Sequence, residues 1–187
     1  NSEPATCFPA AVTTAGSWDP ALLQEIGKAI AEEAKEKKVG LVLGPGVNIK
    51  RNPLCGRNFE YYSEDPLLAA LCAGAVVRGV QSQGIGACVK HFCVNNKETN
   101  RKQSDSRASE RAIREIYLKA FEIIVKDYDV WSIMTSYNII NGHRASENRE
   151  MLEDILRGEW GFSGMVSTDW WTLAEQYKEV KAGNDLK

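Results

Sequence analysis

Regular alternation of helical and strand-like segments is the feature that most limits the fold of this chain. Asp19-Pro20 and Asp65-Pro66 each place an N-cap residue before a first-turn proline, and Thr172 with Glu175 matches a capping box. Apolar residues at helical spacing predict helices over residues 21–38, 67–83, 106–127, 148–158 and from 172 to about 182. Short apolar runs predict strands at residues 39–46, 85–89, 130–135 and 164–168, and the start of another at 184–187.

Helices that alternate with strands in this way predict βαβ units, and therefore a parallel sheet in an α/β fold. In the third helix one apolar stripe is expected to be buried, formed by Ile113, Ile116, Ala120, Phe121 and Ile124. No GxGxxG motif follows a strand, which argues against a dinucleotide-binding fold. The strands fit either a doubly wound sheet or part of a (β/α)8 barrel, and a complete barrel usually needs ~250 residues.

Composition argues against several kinds of partner. The formal net charge is -2, which gives no electrostatic reason to expect binding to nucleic acid or to an anionic membrane. The five cysteines lack CxxC spacing and the two histidines lie far apart, so no metal site is expected, and nothing indicates a cofactor. An odd number of cysteines, with no visible signal peptide, predicts a cytoplasmic protein.

Polar and aromatic side chains collect where the predicted strands end. In a parallel α/β protein these carboxyl ends share one edge, where functional groups gather. The loops after the first two strands are longer than the usual roughly 2–6 residues, as functional loops often are. The candidates are Arg57 in the first loop, Lys90 and His91 after the second strand, Tyr137 after the third, and Asp169 with Trp170 after the fourth.

Each candidate also has an ordinary structural explanation. One of the two tryptophans at 170 and 171 is expected to pack into the core. Helix N-capping by Asp169 is the weakest of the alternatives, because Thr172 suits that position better. The others are a salt bridge from Arg57 to Glu60 or Glu64, a solvated position for Lys90, a structural role for His91, and core capping by Tyr137.

The candidate set suits the chemistry of sugars. A carboxylate beside an indole offers a nucleophile or charge stabiliser next to a flat apolar platform for a pyranose ring. Cationic and imidazole side chains donate hydrogen bonds to hydroxyl groups. Retaining glycosidases place a nucleophilic carboxylate about 5–5.5 Å from a second carboxyl group that serves as acid and base.

Five segments resemble, in the same order, the barrel domain of glycoside hydrolase family 3, and most closely its β-glucosidase branch. They are TCFPAAVTTAGSWDPALLQEIG, GRNFEYYSEDP, KHFCVNN, IMTSYNIING and GFSGMVSTDW. The resemblance covers nearly the whole chain. It implies that residues 1–187 form an incomplete (β/α)8 TIM-type barrel, without its first strands and the end of its last.

The resemblance also implies roles for individual residues. Asp169 would be the catalytic nucleophile of a retaining β-glycosidase, forming a covalent glycosyl-enzyme. The substrate would be a β-linked glucoside or oligosaccharide with a terminal non-reducing β-D-glucosyl residue. The implied substrate-binding residues are Arg57, Lys90, His91, Tyr137 and Trp170.

Two parts of the family's site have no counterpart in the sequence. A sugar-binding aspartate of that family lies in a DGPxG-type motif upstream of TCFP. Its acid/base glutamate usually lies in an α/β sandwich domain downstream of the barrel. We therefore expect this chain to be a piece of a larger enzyme, inactive alone, whose missing C-terminal domain supplies the acid/base.

Two other functions stay open from the residues alone. Lys90 could form a Schiff base if a desolvated pocket lowered its pKa, with His91 as a proton shuttle, as in an aldolase-like barrel. That hypothesis does not explain the adjacent Asp169 and Trp170. The chain could also be a non-catalytic carbohydrate-binding fragment.

Overall fold

Short parallel strands and longer helices alternate along the chain in a computed structural model, which describes residues 4–187. The strands are β1 (Leu41–Val42), β2 (Gly86–Phe92), β3 (Asp105–Ser106), β4 (Ser132–Thr135), β5 (Ile139–Ile140), β6 (His143–Arg144) and β7 (Met165–Ser167). The α-helices are α1 (Ala11–Ala15), α2 (Pro20–Glu36), α3 (Pro66–Ser82), α4 (Glu110–Ala112), α5 (Lys119–Tyr128) and α6 (Gln176–Ala182). The π-helical segments are Ile113–Tyr117 and Glu150–Glu159, and the 3-10 turns are Asn58–Glu60 and Ala145–Glu147.

The main sheet has the strand order β1-β2-β4-β7, and every pairing in it is parallel. Residues after α6 extend it, because the N–H of Thr168 donates to the Leu186 carbonyl and the N–H of Leu186 donates to the Val166 carbonyl. The α/β fold with a parallel sheet, predicted from the alternation of segments, is therefore confirmed. A second small sheet, in the order β3-β5-β6, was not predicted.

The two Asp-Pro pairs begin helices as expected. The side chain of Asp19 accepts hydrogen bonds from the N–H groups of Ala21 and Leu22 at the start of α2. Asp65 does the same for α3. Each cap satisfies amide donors that the first helical turn leaves without a partner, and the following proline has no such donor to lose.

Two details of the predicted helices are wrong. The third helix begins at Glu110, and its Ile113–Tyr117 segment is π-helical. A π-helical turn contains one more residue than an α-helical turn, so its side chains leave the positions that a 3.6-residue period predicts. Ile116 lies in this segment and is 40% exposed instead of buried. Thr172 does not cap the last helix, because α6 begins at Gln176 and the Thr172 hydroxyl donates to the Glu179 carboxylate.

The two faces of the main sheet differ. On one face Val89, Ile133 and Val166 are fully buried in the apolar core beneath the helices. On the other face, Met134, Met165 and Ser167 line an open cavity of about 440 Å³. Asp169 and Trp170, which follow the carboxyl end of β7, line the same cavity. The cavity therefore extends from the face of the sheet that no helix covers to the carboxyl ends of the strands.

No helix within residues 4–187 is both long and apolar enough to cross a bilayer.

Helices α2 and α3 approach each other through glycine. A Cβ atom added at Gly79 would lie 2.2 Å from the carbonyl oxygen of Gln24, and one added at Gly27 would lie 2.5 Å from that of Val76. Both obstacles are backbone atoms, which cannot move aside without displacing a helix. The contact between these helices therefore requires glycine-sized residues at both positions.

We predict that Gly79→Ala destabilises the fold by about 1–3 kcal/mol, the usual cost of overpacking a core. The better helix propensity of alanine offsets up to about 1 kcal/mol of that cost. Urea unfolding followed by circular dichroism measures the change. Gly40→Ala is the control, because a Cβ there would meet no atom within 4 Å; equal stability of the two variants would contradict the close approach.

Candidate active site

The end of β2 brings two neighbouring residues, Lys90 and His91, to the same site. The pairing of β2 with β4 shifts register between Val89 and Phe92, and the Lys90–His91 and Phe92–Cys93 peptide bonds are cis. The side chain of Lys90 is 17% exposed and that of His91 is 2% exposed. Lys90 is therefore not the solvated lysine that the sequence left open.

Asp169 lies two residues beyond the end of β7 and faces His91. Its Oδ2 atom is 3.8 Å from Nε2 of His91, and its Oδ1 atom accepts a hydrogen bond of 2.7 Å from the N–H of Trp170. The carboxylate is 11% exposed. It does not cap a helix, because the N-cap residue of α6 is Glu175. Asp169 is therefore not a helix cap, and its carboxylate borders the cavity.

Glu60 lies between two cations of the site. Arg57 donates a hydrogen bond from Nε to Oε1 of Glu60, and Nζ of Lys90 lies 3.8 Å from Oε2. The salt bridge that the sequence allowed for Arg57 is thus present, with Glu60 as the partner and not Glu64. Because both its oxygens face cations, Glu60 anchors Arg57 and Lys90 relative to each other.

Tyr137 joins three loops around the site. Its hydroxyl donates to the carbonyl oxygen of Trp170, and the Arg101 guanidinium lies 4.4 Å and the Lys102 ammonium 4.9 Å from the centre of its ring. Burial, together with the nearby negative charge of Asp169, raises the pKa of Tyr137 to about 12. The phenol therefore stays protonated and acts as a donor at neutral pH.

Neither tryptophan after Asp169 packs into the core. Trp170 is 49% exposed and Trp171 is 81% exposed, so the expectation that one of them is a packing residue is wrong. Trp171 has a positive φ of 52°, and its carbonyl accepts a hydrogen bond from Lys102. The indole of Trp170 is left on the cavity wall, where it can serve as an apolar platform.

The charges of the site keep His91 neutral. Burial lowers its pKa well below the ordinary value, and the positive charges of Arg57, Lys90 and Arg101 lower it further. Burial also lowers the pKa of Lys90, although the negative charge of Glu60 partly opposes that effect. The site therefore combines a neutral imidazole and cationic donors with the carboxylate of Asp169.

Sequence reasoning missed several members of this cluster. Arg101 and Lys102 were not singled out from the sequence, and Glu60 was considered only as a salt-bridge partner of Arg57. Tyr61 and Asn95 were not assigned any role at the site, although both are buried and hydrogen-bonded to it. Asn95 had a signal, because it lies in the loop directly after KHF. Tyr61 had none beyond its place near Arg57.

The arrangement suits nucleophilic attack on a polyhydroxylated ligand. The cavity itself is lined by the carboxylate of Asp169 and the exposed indole of Trp170. The N–H and O–H donors of His91 and Tyr137 do not line this cavity but lie beside those two residues. Within residues 4–187 no group of three His, Cys, Asp or Glu side chains is placed to hold a metal ion.

Known proteins resemble this chain over nearly its whole length. Beta-glucosidase A of Butyrivibrio fibrisolvens is 60% identical over 182 residues, which are 97% of this chain and 22% of that protein. An exo-alpha-(1->6)-L-arabinopyranosidase of Bifidobacterium longum is 52% identical over 187 residues, 100% of this chain and 25% of that protein. The solved structure of beta-glucosidase 3B from Thermotoga neapolitana in complex with glucose matches with a TM-score of 0.96 at 54% identity, over 97% of this chain and 25% of that one.

The chain thus spans about a quarter of the length of these relatives. A family model described as "Glycosyl hydrolase family 3 N terminal domain" matches residues 2–184. Fold, motif order and this match agree, and the chain belongs to glycosyl hydrolase family 3, within the N-terminal domain of that family.

Proposed function

We propose that the protein carrying this chain is a retaining β-glycosidase that removes terminal non-reducing β-D-glucosyl residues. The observation that carries the proposal is the position of Asp169 at a strand end, 3.8 Å from a neutral His91 and beside the exposed indole of Trp170. Family membership supports it, and relatives named as β-glucosidases support glucosides as the substrate class.

In this mechanism Asp169 attacks the anomeric carbon of the bound sugar. Its carboxylate oxygen forms the bond to carbon while the glycosidic bond breaks, and an acid protonates the departing oxygen. Water, activated by the same group acting as a base, then releases the sugar with its original configuration. Arg57, Lys90 and His91 donate hydrogen bonds to hydroxyl groups of the sugar. Tyr137 holds the loop that carries Asp169, through its hydrogen bond to the Trp170 carbonyl. The indole of Trp170 packs against one face of the sugar ring.

The acid/base, in our proposal, comes from outside residues 4–187. The carboxylate of Glu60 is held between Arg57 and Lys90. If Glu60 were protonated, it would lose its negative charge and one of these contacts, and a cation of the site would have no partner. It is therefore poorly suited to deliver a proton to a leaving group. The curated relatives are about four times longer than this chain, which leaves room for a further domain, such as an α/β sandwich, to supply the group.

We further propose that the main sheet is part of a (β/α)8 barrel. Its four strands lie in sequence order and are all parallel, as barrel strands are. The face away from the helices carries apolar side chains at its rim, where Leu43 is 39% exposed and Leu186 is 55% exposed. In a closed barrel the part of that face lined by Leu43, Met134, Met165 and Leu186 would be packed interior, which explains its apolar residues, and only its carboxyl end, at Asp169 and Trp170, would stay open to a ligand.

The aldolase-like and non-catalytic alternatives are not favoured. Lys90 has the lowered pKa that a Schiff-base lysine needs, but its ammonium faces the carboxylate of Glu60. Nothing in that chemistry uses Asp169 or Trp170. A purely binding role is not favoured, because the matching family model and the named relatives are those of hydrolases.

We predict that Asp169→Asn lowers kcat by roughly a thousandfold or more in the full protein, because the amide keeps the shape of the side chain but cannot act as the nucleophile. Glucose binding, measured by calorimetry, should persist. Asp154→Asn is the matched control, since that carboxylate is 61% exposed on the outer π-helical segment. Near-normal turnover by a folded Asp169→Asn protein would refute the assignment.

Sugar preference is open to a direct comparison. One relative is named an arabinopyranosidase, so similarity alone does not fix the sugar. We expect a higher kcat/KM for nitrophenyl β-D-glucopyranoside than for the α-L-arabinopyranoside or β-D-xylopyranoside. A preference for either pentoside would replace glucose in the proposal and leave the role of Asp169 unchanged.

A further inference from the structure

His91 is held from two sides by buried residues. The side-chain amide of Asn48 makes two hydrogen bonds to the backbone of His91. Its Oδ1 atom accepts from the His91 N–H at 2.7 Å, and its Nδ2 atom donates to the His91 carbonyl at 2.9 Å. On the ring, Nδ1 lies 3.1 Å from the hydroxyl of Tyr61. The side chain of Tyr61 is fully buried, and Asn48 and His91 are each 2% exposed. Water therefore does not compete for these contacts.

The direction of the Tyr61–His91 hydrogen bond follows from its neighbours. Nδ2 of Asn95 lies 3.1 Å from the Tyr61 hydroxyl and 3.2 Å from Oε1 of Glu98. Glu98 is ion-paired through Oε2 with Arg101 at 2.7 Å, so its carboxylate only accepts hydrogen bonds. The Asn95 group that faces Glu98 must therefore be the amide NH2, and that same group donates to the Tyr61 oxygen.

This fixes where the proton of His91 lies. Because the Tyr61 oxygen accepts from Asn95, its own O–H is available to donate to Nδ1 of His91. Nδ1 must then be unprotonated, and a neutral ring carries its proton on Nε2, the atom that faces Asp169 at 3.8 Å. The opposite tautomer would place a nitrogen lone pair against the carboxylate of Asp169 and leave the Tyr61 O–H facing a ring N–H.

We propose that Glu98, Asn95 and Tyr61 form a hydrogen-bond relay that holds His91 in the Nε2–H tautomer, so that the ring is a fixed donor beside the nucleophile. The role of this relay in substrate binding rests on the proposed function. At 3.8 Å the two atoms are too far apart for a direct hydrogen bond, but one substrate hydroxyl can bridge them, accepting from Nε2–H and donating to Asp169. Glu98, Asn95 and Tyr61 are thus positioning residues that act through His91.

The tautomer can be measured without any assay of hydrolysis. In protein labelled with 15N-histidine, long-range 1H–15N correlation spectra distinguish protonated from unprotonated ring nitrogens. We expect His91 to show Nε2 protonated and Nδ1 unprotonated at neutral pH. The His91→Gln spectrum identifies its signals, and the exposed His143 is an internal reference. A wild-type ring protonated on Nδ1 would overturn the proposal.

Tyr61→Phe tests the link next to the ring. It removes the hydroxyl but keeps the buried ring, so the fixed His91 tautomer should become a mixture and kcat/KM should fall by roughly tenfold, the scale of one buried hydrogen bond. Tyr62→Phe is the matched control, because Tyr62 is also buried but no hydrogen bond of its hydroxyl is found within the described residues. A Tyr61→Phe protein with the wild-type tautomer would contradict the relay.

A charge-conserving exchange tests the direction of the relay. In the double variant Asn95→Asp with Glu98→Gln, the carboxylate at position 95 can only accept from Tyr61, whose oxygen must then accept from His91. The proton should move to Nδ1, with roughly a hundredfold loss of kcat/KM, as for loss of a positioned donor. An unchanged Nε2–H tautomer would refute the relay. If the protein hydrolyses no glycoside but the tautomers change as stated, the proposed function fails and the relay stands.

Discussion

The parallel pairing of β2, β4 and β7 is the constraint on which the site depends. The carboxyl ends of parallel strands lie at the same edge of the sheet. His91, Tyr137 and Asp169, which are far apart in sequence, therefore meet at that edge. Helix α3 packs against β2, and α2 can pack closely on α3 because Gly27 and Gly79 have no side chain at their contact.

Burial then decides what each group can do. A buried, isolated charge is costly, so the cations of the site are partnered: Arg57 and Lys90 share Glu60, and Arg101 pairs with Glu98. His91 has no carboxylate at hydrogen-bond distance, and its burial, together with the positive charges around it, lowers its pKa and keeps it neutral. The result that we propose is an uncharged imidazole that donates one hydrogen bond from Nε2 on the side of Asp169. A proton on its second nitrogen would disturb both Tyr61 and the neighbouring cations.

The sequence predicted much of this, for identifiable reasons. The helix caps at Asp19 and Asp65 are made to residues only two or three positions along the chain, so a local sequence pattern was enough to predict them. The candidates at the strand ends follow from one rule of parallel sheets. The contacts of Tyr61 could not be predicted, because it meets His91 thirty positions away through a loop whose path no local pattern specifies. The exposure of Ile116 depends on a π-helical turn that the 3.6-residue period does not reveal.

The central claim is that Asp169 becomes covalently attached to the sugar during turnover. Treating the full protein with a 2-fluoro-β-glucoside that has an activated leaving group, followed by peptide mapping by mass spectrometry, tests this directly. We expect one fluoroglucosyl group per protein, located on the peptide GMVSTDWW at Asp169, with loss of activity in proportion to labelling. Inactivation with the label on any other residue would contradict it, as would turnover of the reagent with inversion of configuration at the anomeric carbon.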